Sequence, residues 1–187
     1  MNIPLIDLKA HHQALHAEIT SAIQNILERT DFILGQDVSK FEEEFAAFCG
    51  TKYAVGVSSG VAALELSLLA FGIGPGDEVL VPAHTFTATA AAVSFTGAKP
   101  VFVDVDPVTW TLDATKLEEA ITPSTKAMIP VHLYGLPADM DPIRAIAKKH
   151  NLMVIEDACQ AHGAIYKGKK VGTIGDASAF SLNQNKM

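Results

Sequence analysis

The 187-residue chain is long enough for one sizeable core, and its 49% hydrophobic content supports a folded domain rather than a disordered tail. A net charge of −7 and a pI near 5.4, with the basic residues scattered, argue against a nucleic-acid partner. Cys49 and Cys159 stand far apart without CxxC spacing, so neither a disulfide framework nor a zinc site is suggested, and a reducing cytoplasm is the expected compartment.

The start, Met1-Asn2-Ile3-Pro4-Leu5-Ile6-Asp7, has no basic segment followed by a long apolar one, so no secretory signal is expected. Leu15, Ile19, Ile23, Ile26 and Leu27 recur at helical spacing and predict an amphipathic helix over 11–29. A second helix is predicted over 37–49, with Val38, Phe41, Phe45 and Phe48 on one face and Gly50 just past its end. Short apolar runs at 53–57, 78–81, 100–103, 126–131 and 152–156 then read as buried strands. Helical stretches at 61–71, 86–96, 113–121 and 139–150 separate them. This alternation predicts an α/β fold, a mainly parallel sheet with helices on both faces.

Val79–Ala98 carries no charge and is long enough to cross a bilayer. Its Pro82, His84 and Gly97 divide it more naturally into strand, turn and helix. After residue 157 two short strand-like runs, near 163–166 and 177–182, flank Lys167-Gly168-Lys169, which suggests a hairpin. No repeat or linker is visible, so a single domain is expected. The stop soon after a core strand suggests a piece of a longer protein.

Several segments have the composition of a site. Gly72-Ile73-Gly74-Pro75-Gly76 imitates a dinucleotide fingerprint, but it follows a helix and precedes a strand, the reverse of the required order. It reads as a turn. Val57-Ser58-Ser59-Gly60-Val61 has the productive order of strand, small turn and helix. It fits either an anion site on backbone amides or a plain Ser N-cap.

Glu156-Asp157-Ala158-Cys159-Gln160-Ala161-His162 follows a strand, where α/β sheets bind ligands. A partly buried carboxylate there needs a partner, and a protonated ring nitrogen would serve as well as a helix N-terminus. Cys159 suits a buried thiol better than a nucleophile, and His162 fits a general base or a pocket lining. Phe86, at the start of a helix, fits the face of a planar cofactor or the core. His132-Leu133-Tyr134-Gly135, again after a strand, fits a substrate contact or a turn. Lys186 alone would be a surface charge.

In order and spacing these pieces resemble the DegT/DnrJ/EryC1/StrS family of fold-type-I pyridoxal 5′-phosphate (PLP) enzymes, the sugar aminotransferases. The resemblance runs from Ile6-Asp7-Leu8 and Phe32-Ile33-Leu34-Gly35 through Ser58-Ser59-Gly60 and Val81-Pro82-Ala83-His84-Thr85-Phe86. It continues in Val131-His132-Leu133-Tyr134-Gly135, in Glu156-Asp157 to Gly163, and in Phe180-Ser181 to Lys186.

The resemblance implies that residues 1–187 form the N-terminal portion of such an enzyme, most of its PLP-binding large domain, without the small C-terminal domain. It implies catalytic roles for Lys186, the Schiff-base lysine and proton shuttle, and Asp157, which pairs with the ring nitrogen. Ser59, Gly60, Val61 and Ser181 would hold the phosphate, Phe86 would stack on the ring and Gln160 would bond its phenolic oxygen. His132, Tyr134, His162 and Asn183 are the substrate-side candidates, and no metal is implied.

The implied activity moves an amino group, commonly from glutamate, onto a nucleotide-linked keto-deoxysugar, in a homodimer with a shared site. Pro130–Asp141 is similar to members acting on dTDP-linked 3-keto-6-deoxy sugars. Two positions depart from the family pattern: Val61 replaces a common Thr, and Met187 replaces a common Asn. The competing readings are a dehydratase of the same family, against which Lys186 stands, and a non-catalytic PLP-binding or regulatory protein. The isolated 187-residue chain is expected to bind PLP poorly and turn over little.

Overall fold

The computed structural model describes residues 7–183. Lys186 and Met187, on which two of the expectations above rest, lie outside the described residues, as does Met1–Ile6. Where one domain was expected, the described chain divides into two compact units. One holds the stretch up to Ala46 together with Tyr53–Gly56; the other holds Ala47–Lys52 and the chain from Val57 onward.

The first unit is built on α1 (Leu8–Arg29) and most of α2 (Gln36–Cys49). Asp7 caps α1 by accepting the Ala10 N–H at 3.0 Å, and Arg29 pairs with Asp37. The apolar stripe of α1 is real but largely exposed, with Leu15, Ile23 and Leu27 each at least half accessible. The strand expected at 53–57 is not formed. No strand lies alongside it among the described residues, the Gly56 N–H goes instead to Glu42 Oε1 at 2.7 Å, and Tyr53 and Val55 are exposed.

In the second unit the apolar runs become a five-stranded parallel sheet. Its strands are β1 (Glu78–Pro82), β2 (Lys99–Val103), β3 (Thr125–Met128), β4 (Met153–Asp157) and, after the hairpin described below, Ala177–Ala179. The chain steps outward from β1 to β2, then crosses back over β1 to β3 and continues the other way to β4. Right-handed crossovers in opposite directions put helices on opposite faces.

One face carries α3 (Gly60–Ala70) and α4 (Ala88–Phe95), whose Leu64, Leu68, Ala92 and Val93 pack on Val79, Val81, Ala127, Ile129 and Ile155. The other carries α5 (Leu117–Ala120) and α6 (Met140–His150), whose Leu117, Met140, Ile143 and Ala147 pack on Leu80, Val103, Met128 and Val154. Burial on both faces explains the unbroken apolar runs. Val79–Ala98 proves to be strand, turn and helix, and no helix among the described residues is long and apolar enough to cross a membrane.

The hairpin differs from expectation. Lys167 and Gly168 both adopt positive φ, 47° and 84°, which suits a two-residue turn that pairs β5 (Ile165–Tyr166) with β6 (Lys169–Lys170). The run at 177–182 is therefore not its second arm. Ala177–Ala179, labelled β7, joins the main sheet parallel to β4.

Candidate active site

The carboxyl ends of the strands, where the sheet order switches between β1 and β3, gather most of the predicted site residues. α3 enters this edge with its N-terminus. Ser59 is extended and its Oγ accepts the Ala62 N–H at 3.1 Å, while its carbonyl accepts the Ala63 N–H. Both the N-cap and the anion-site readings survive, because the cap satisfies Ala62 and Ala63 only. Among the described residues, the N–H groups of Gly60 and Val61 meet no acceptor. Gly60 is buried, and a Cβ there would lie 2.7 Å from Cys159 Sγ and 3.1 Å from Ser181 Cβ. The missing side chain is what lets α3, the loop after β4 and the segment after β7 meet.

Asp157 ends β4 and is 6% exposed. Its Oδ2 accepts the Thr89 hydroxyl at 2.8 Å, and its Oδ1 accepts the Cys159 N–H at 3.2 Å. Thr89 is fully buried on α4 and bonds in turn with Thr85 at 3.0 Å. A carboxylate has room for about four donors, so Asp157 keeps acceptor capacity on the α3–α4 side of the sheet. Phe86 precedes α4 and is well exposed. Gln160 Oε1 accepts the Tyr134 N–H at 3.2 Å, and its NH2 group meets no acceptor among the described residues. Ser181 is half-buried, and its Oγ accepts the Asn183 N–H at 3.4 Å.

His132 and Tyr134 separate. Tyr134 sits at φ 52° with its ring exposed, on a turn continued by Gly135 at φ 86°. His132 is fully buried, with Nδ1 accepting the Ala138 N–H at 3.0 Å and Nε2 against Glu156 Oε2 at 2.9 Å. With both nitrogens spent inside the fold, its surroundings support the turn reading and leave it no surface for a substrate. His162 packs on Phe180, ring centroids 5.4 Å apart, and neither of its nitrogens has a hydrogen-bond partner among the described residues. Burial holds its imidazole below the ordinary histidine range, against a weaker pull from the Ser181 backbone. Asn183 is exposed.

Two residues escaped the sequence reading. Thr89 carried no signal beyond a helical pattern. Glu156 did carry one: side chains alternate along a strand, so neighbours in β4 must face opposite ways.

The chain chemistry fits PLP. A phosphate needs unpaired amides at a helix N-terminus, and a pyridinium needs a buried carboxylate with spare capacity. A phenolic oxygen needs a donor such as the Gln160 amide, and Gly60 leaves the close approach open.

An open, doubly wound α/β unit with a helix N-terminus and a buried carboxylate on its ligand edge defines the class. A family model, the DegT/DnrJ/EryC1/StrS aminotransferase family, matches residues 13–187, and the chain belongs to that family. It is 50% identical over 184 residues to the dTDP-3-amino-3,4,6-trideoxy-alpha-D-glucose transaminase of Streptomyces venezuelae, covering 98% of this chain and 48% of that protein. A DegT DnrJ EryC1 StrS aminotransferase from Brucella abortus superposes with a TM-score of 0.95 at 36% identity, covering 99% of this chain and 52% of that one. NtdA from Bacillus subtilis with bound cofactor PMP gives 0.90 at 38% identity, covering 97% and 41%. The chain spans about half the length of the curated relatives it matches.

Proposed function

We propose that the protein is a PLP-dependent aminotransferase that moves an amino group, with glutamate as donor, onto a nucleotide-linked keto-deoxysugar. The observation that carries the proposal is Asp157, a nearly buried carboxylate at the end of β4 with acceptor capacity left beside the open N-terminus of α3. The transaminase activity named for the Streptomyces relative and the PMP in the Bacillus one support it.

PLP, when bound, supplies an electron sink for the pair released when a substrate C–H bond breaks. The chain supplies the rest. Gly60 and Val61 donate backbone N–H groups to the phosphate and Ser181 adds a hydroxyl, so the absent Thr at position 61 costs one contact and leaves the amides in place. Asp157 keeps the ring nitrogen protonated, and Thr89 and the Cys159 N–H fix the carboxylate for that task. Gln160 donates to the phenolic oxygen, and Phe86 offers its face to the ring. Lys186 would anchor the cofactor, and its amine is the group that would take up and release the substrate's proton. Tyr134, His162 and Asn183 are the substrate-side residues of this reading.

A homodimer completes the site, a C-terminal domain beyond this chain belongs to the whole enzyme, and the enzyme works in the cytoplasm. The isolated 187-residue chain is expected to turn over little.

The test is the absorption of the full-length protein with PLP, before and after borohydride, followed by mapping of the labelled residue. A band above about 400 nm, with label on Lys186 and loss of the band on adding glutamate, is the expected result. No band, or label elsewhere, would overturn the reading and favour a non-catalytic member of the family.

A further inference from the structure

Glu156 makes four hydrogen-bond contacts among the described residues, and nothing in the proposed chemistry uses it. It is fully buried on the α6 side of β4. Oε1 accepts the N–H groups of Ile174 and Gly175 at 2.7 and 2.6 Å; Oε2 accepts the Gly172 N–H at 2.8 Å and meets His132 Nε2 at 2.9 Å. Because His132 Nδ1 accepts from Ala138, its proton sits on Nε2, and the neutral imidazole donates to the carboxylate. Burial alone would push the Glu156 carboxyl up, yet the bonds from His132, Gly175 and Gly172 together hold it below the ordinary glutamate range. Taking a carboxylate out of water is strongly unfavourable unless its lone pairs are met, and here each oxygen has two donors.

The donors belong to two loops that lead to the candidate site. In the first, His132 also donates its backbone N–H to the Asp157 carbonyl at 3.1 Å, and two residues on Tyr134 holds Gln160 Oε1. In the second, the Gly172 carbonyl accepts the Ser178 hydroxyl at 2.9 Å. Phe180 lies so close over Gly172 that a Cβ there would sit 2.5 Å from Cζ. Phe180 packs on His162 and is followed by Ser181. A single carboxylate thus ties the turn that orients Gln160 to the segment that carries Ser181.

We propose that Glu156 is a positioning residue for the cofactor, setting Gln160 and Ser181 on either side of Asp157 through the 132–138 and 172–175 loops without touching the cofactor itself. This inference rests on the aminotransferase reading.

The experiment uses the full-length protein with PLP and reads cofactor affinity and the position of its long-wavelength band. In Glu156→Gln one oxygen becomes an NH2 that faces two N–H donors in either flip. PLP affinity is expected to fall about tenfold or more, with a shifted band, in a protein of wild-type circular dichroism.

Two histidine variants keep the inference falsifiable should that variant fail to fold. His132→Asn retains an acceptor for Ala138 but is too short for Glu156; His132→Gln reaches Glu156 but abandons Ala138. The Asn variant should reproduce the loss, and the Gln variant, which keeps the tie to Glu156, should lose clearly less. Equal losses in the two, or folded Glu156→Gln and His132→Asn proteins with wild-type affinity and band, would overturn the positioning role alone. Wild-type protein that forms no band overturns the aminotransferase reading, and this inference with it.

Discussion

Glu156 and Asp157 are neighbours in the chain, both acidic and both buried, and the two faces of β4 put them to opposite uses. On the α5–α6 face Glu156 has four donors on two oxygens and no capacity left. On the α3–α4 face Asp157 has two, the Thr89 hydroxyl and the Cys159 N–H. A saturated carboxylate builds; an under-filled one at a ligand edge receives. Chemical type separates nothing here, whereas the count of donors does.

The sharpest way to break the comparison is Asp157→Asn. Removing the charge should lower turnover by about a thousandfold or more while leaving a folded protein that still binds PLP, as steady-state kinetics beside cofactor titration would tell. A variant with near wild-type turnover would remove Asp157 from the chemistry. Gly60→Val comes next, since its first carbon would meet Cys159 Sγ at 2.7 Å. Overpacking of that kind costs about 1–3 kcal/mol, visible as a lower melting temperature together with weaker PLP binding.

Thr89→Val keeps the shape and removes the hydroxyl that holds Asp157. About 1–3 kcal/mol of stability should be lost, and an unchanged urea midpoint would mean the hydroxyl holds nothing.

The other face is probed by pH. Folding lowers the Glu156 pKa, so the unfolded chain takes up the proton first. Its contribution is whole above the ordinary glutamate pKa of about 4.3 and is lost as pH falls toward the folded value. Glu156→Gln should flatten that acid limb in denaturation curves.

The smallest effect concerns His162, whose folded pKa is also lowered. Its contribution is whole above the ordinary histidine pKa of about 6.5 and declines below it, so His162→Phe should narrow the gap between urea midpoints at pH 8 and pH 5.5.

Much of this was legible in the sequence because double burial writes a plain code. Val79, Leu80 and Val81 are all fully buried, so β1 reads as an unbroken apolar run, and Asn151 at φ 54° closes α6 close to where the pattern stops. Site residues at strand ends follow from the same alternation of elements. Tyr53–Val57 misled because apolar alternation records an intention to pair, whereas a strand also requires a neighbour. The 177–182 run misled because a hairpin turn names its nearest arm, and two residues past Gly168 the pairing was already complete. The division into two units left no mark, since exposure of the α1 stripe depends on what lies beside it. The Glu156 network was legible only in part: alternation along β4 turns Glu156 away from Asp157, but three of its four partners are backbone N–H groups, which every sequence has.

The outer margin of the sheet has a consequence of its own. Among the described residues, β2 is flanked by β1 on one side only, and it carries Lys99 and Pro100. A charged side chain and a residue without an N–H blunt a strand as a template. The β2 margin is therefore a poor template for a stray strand from another molecule.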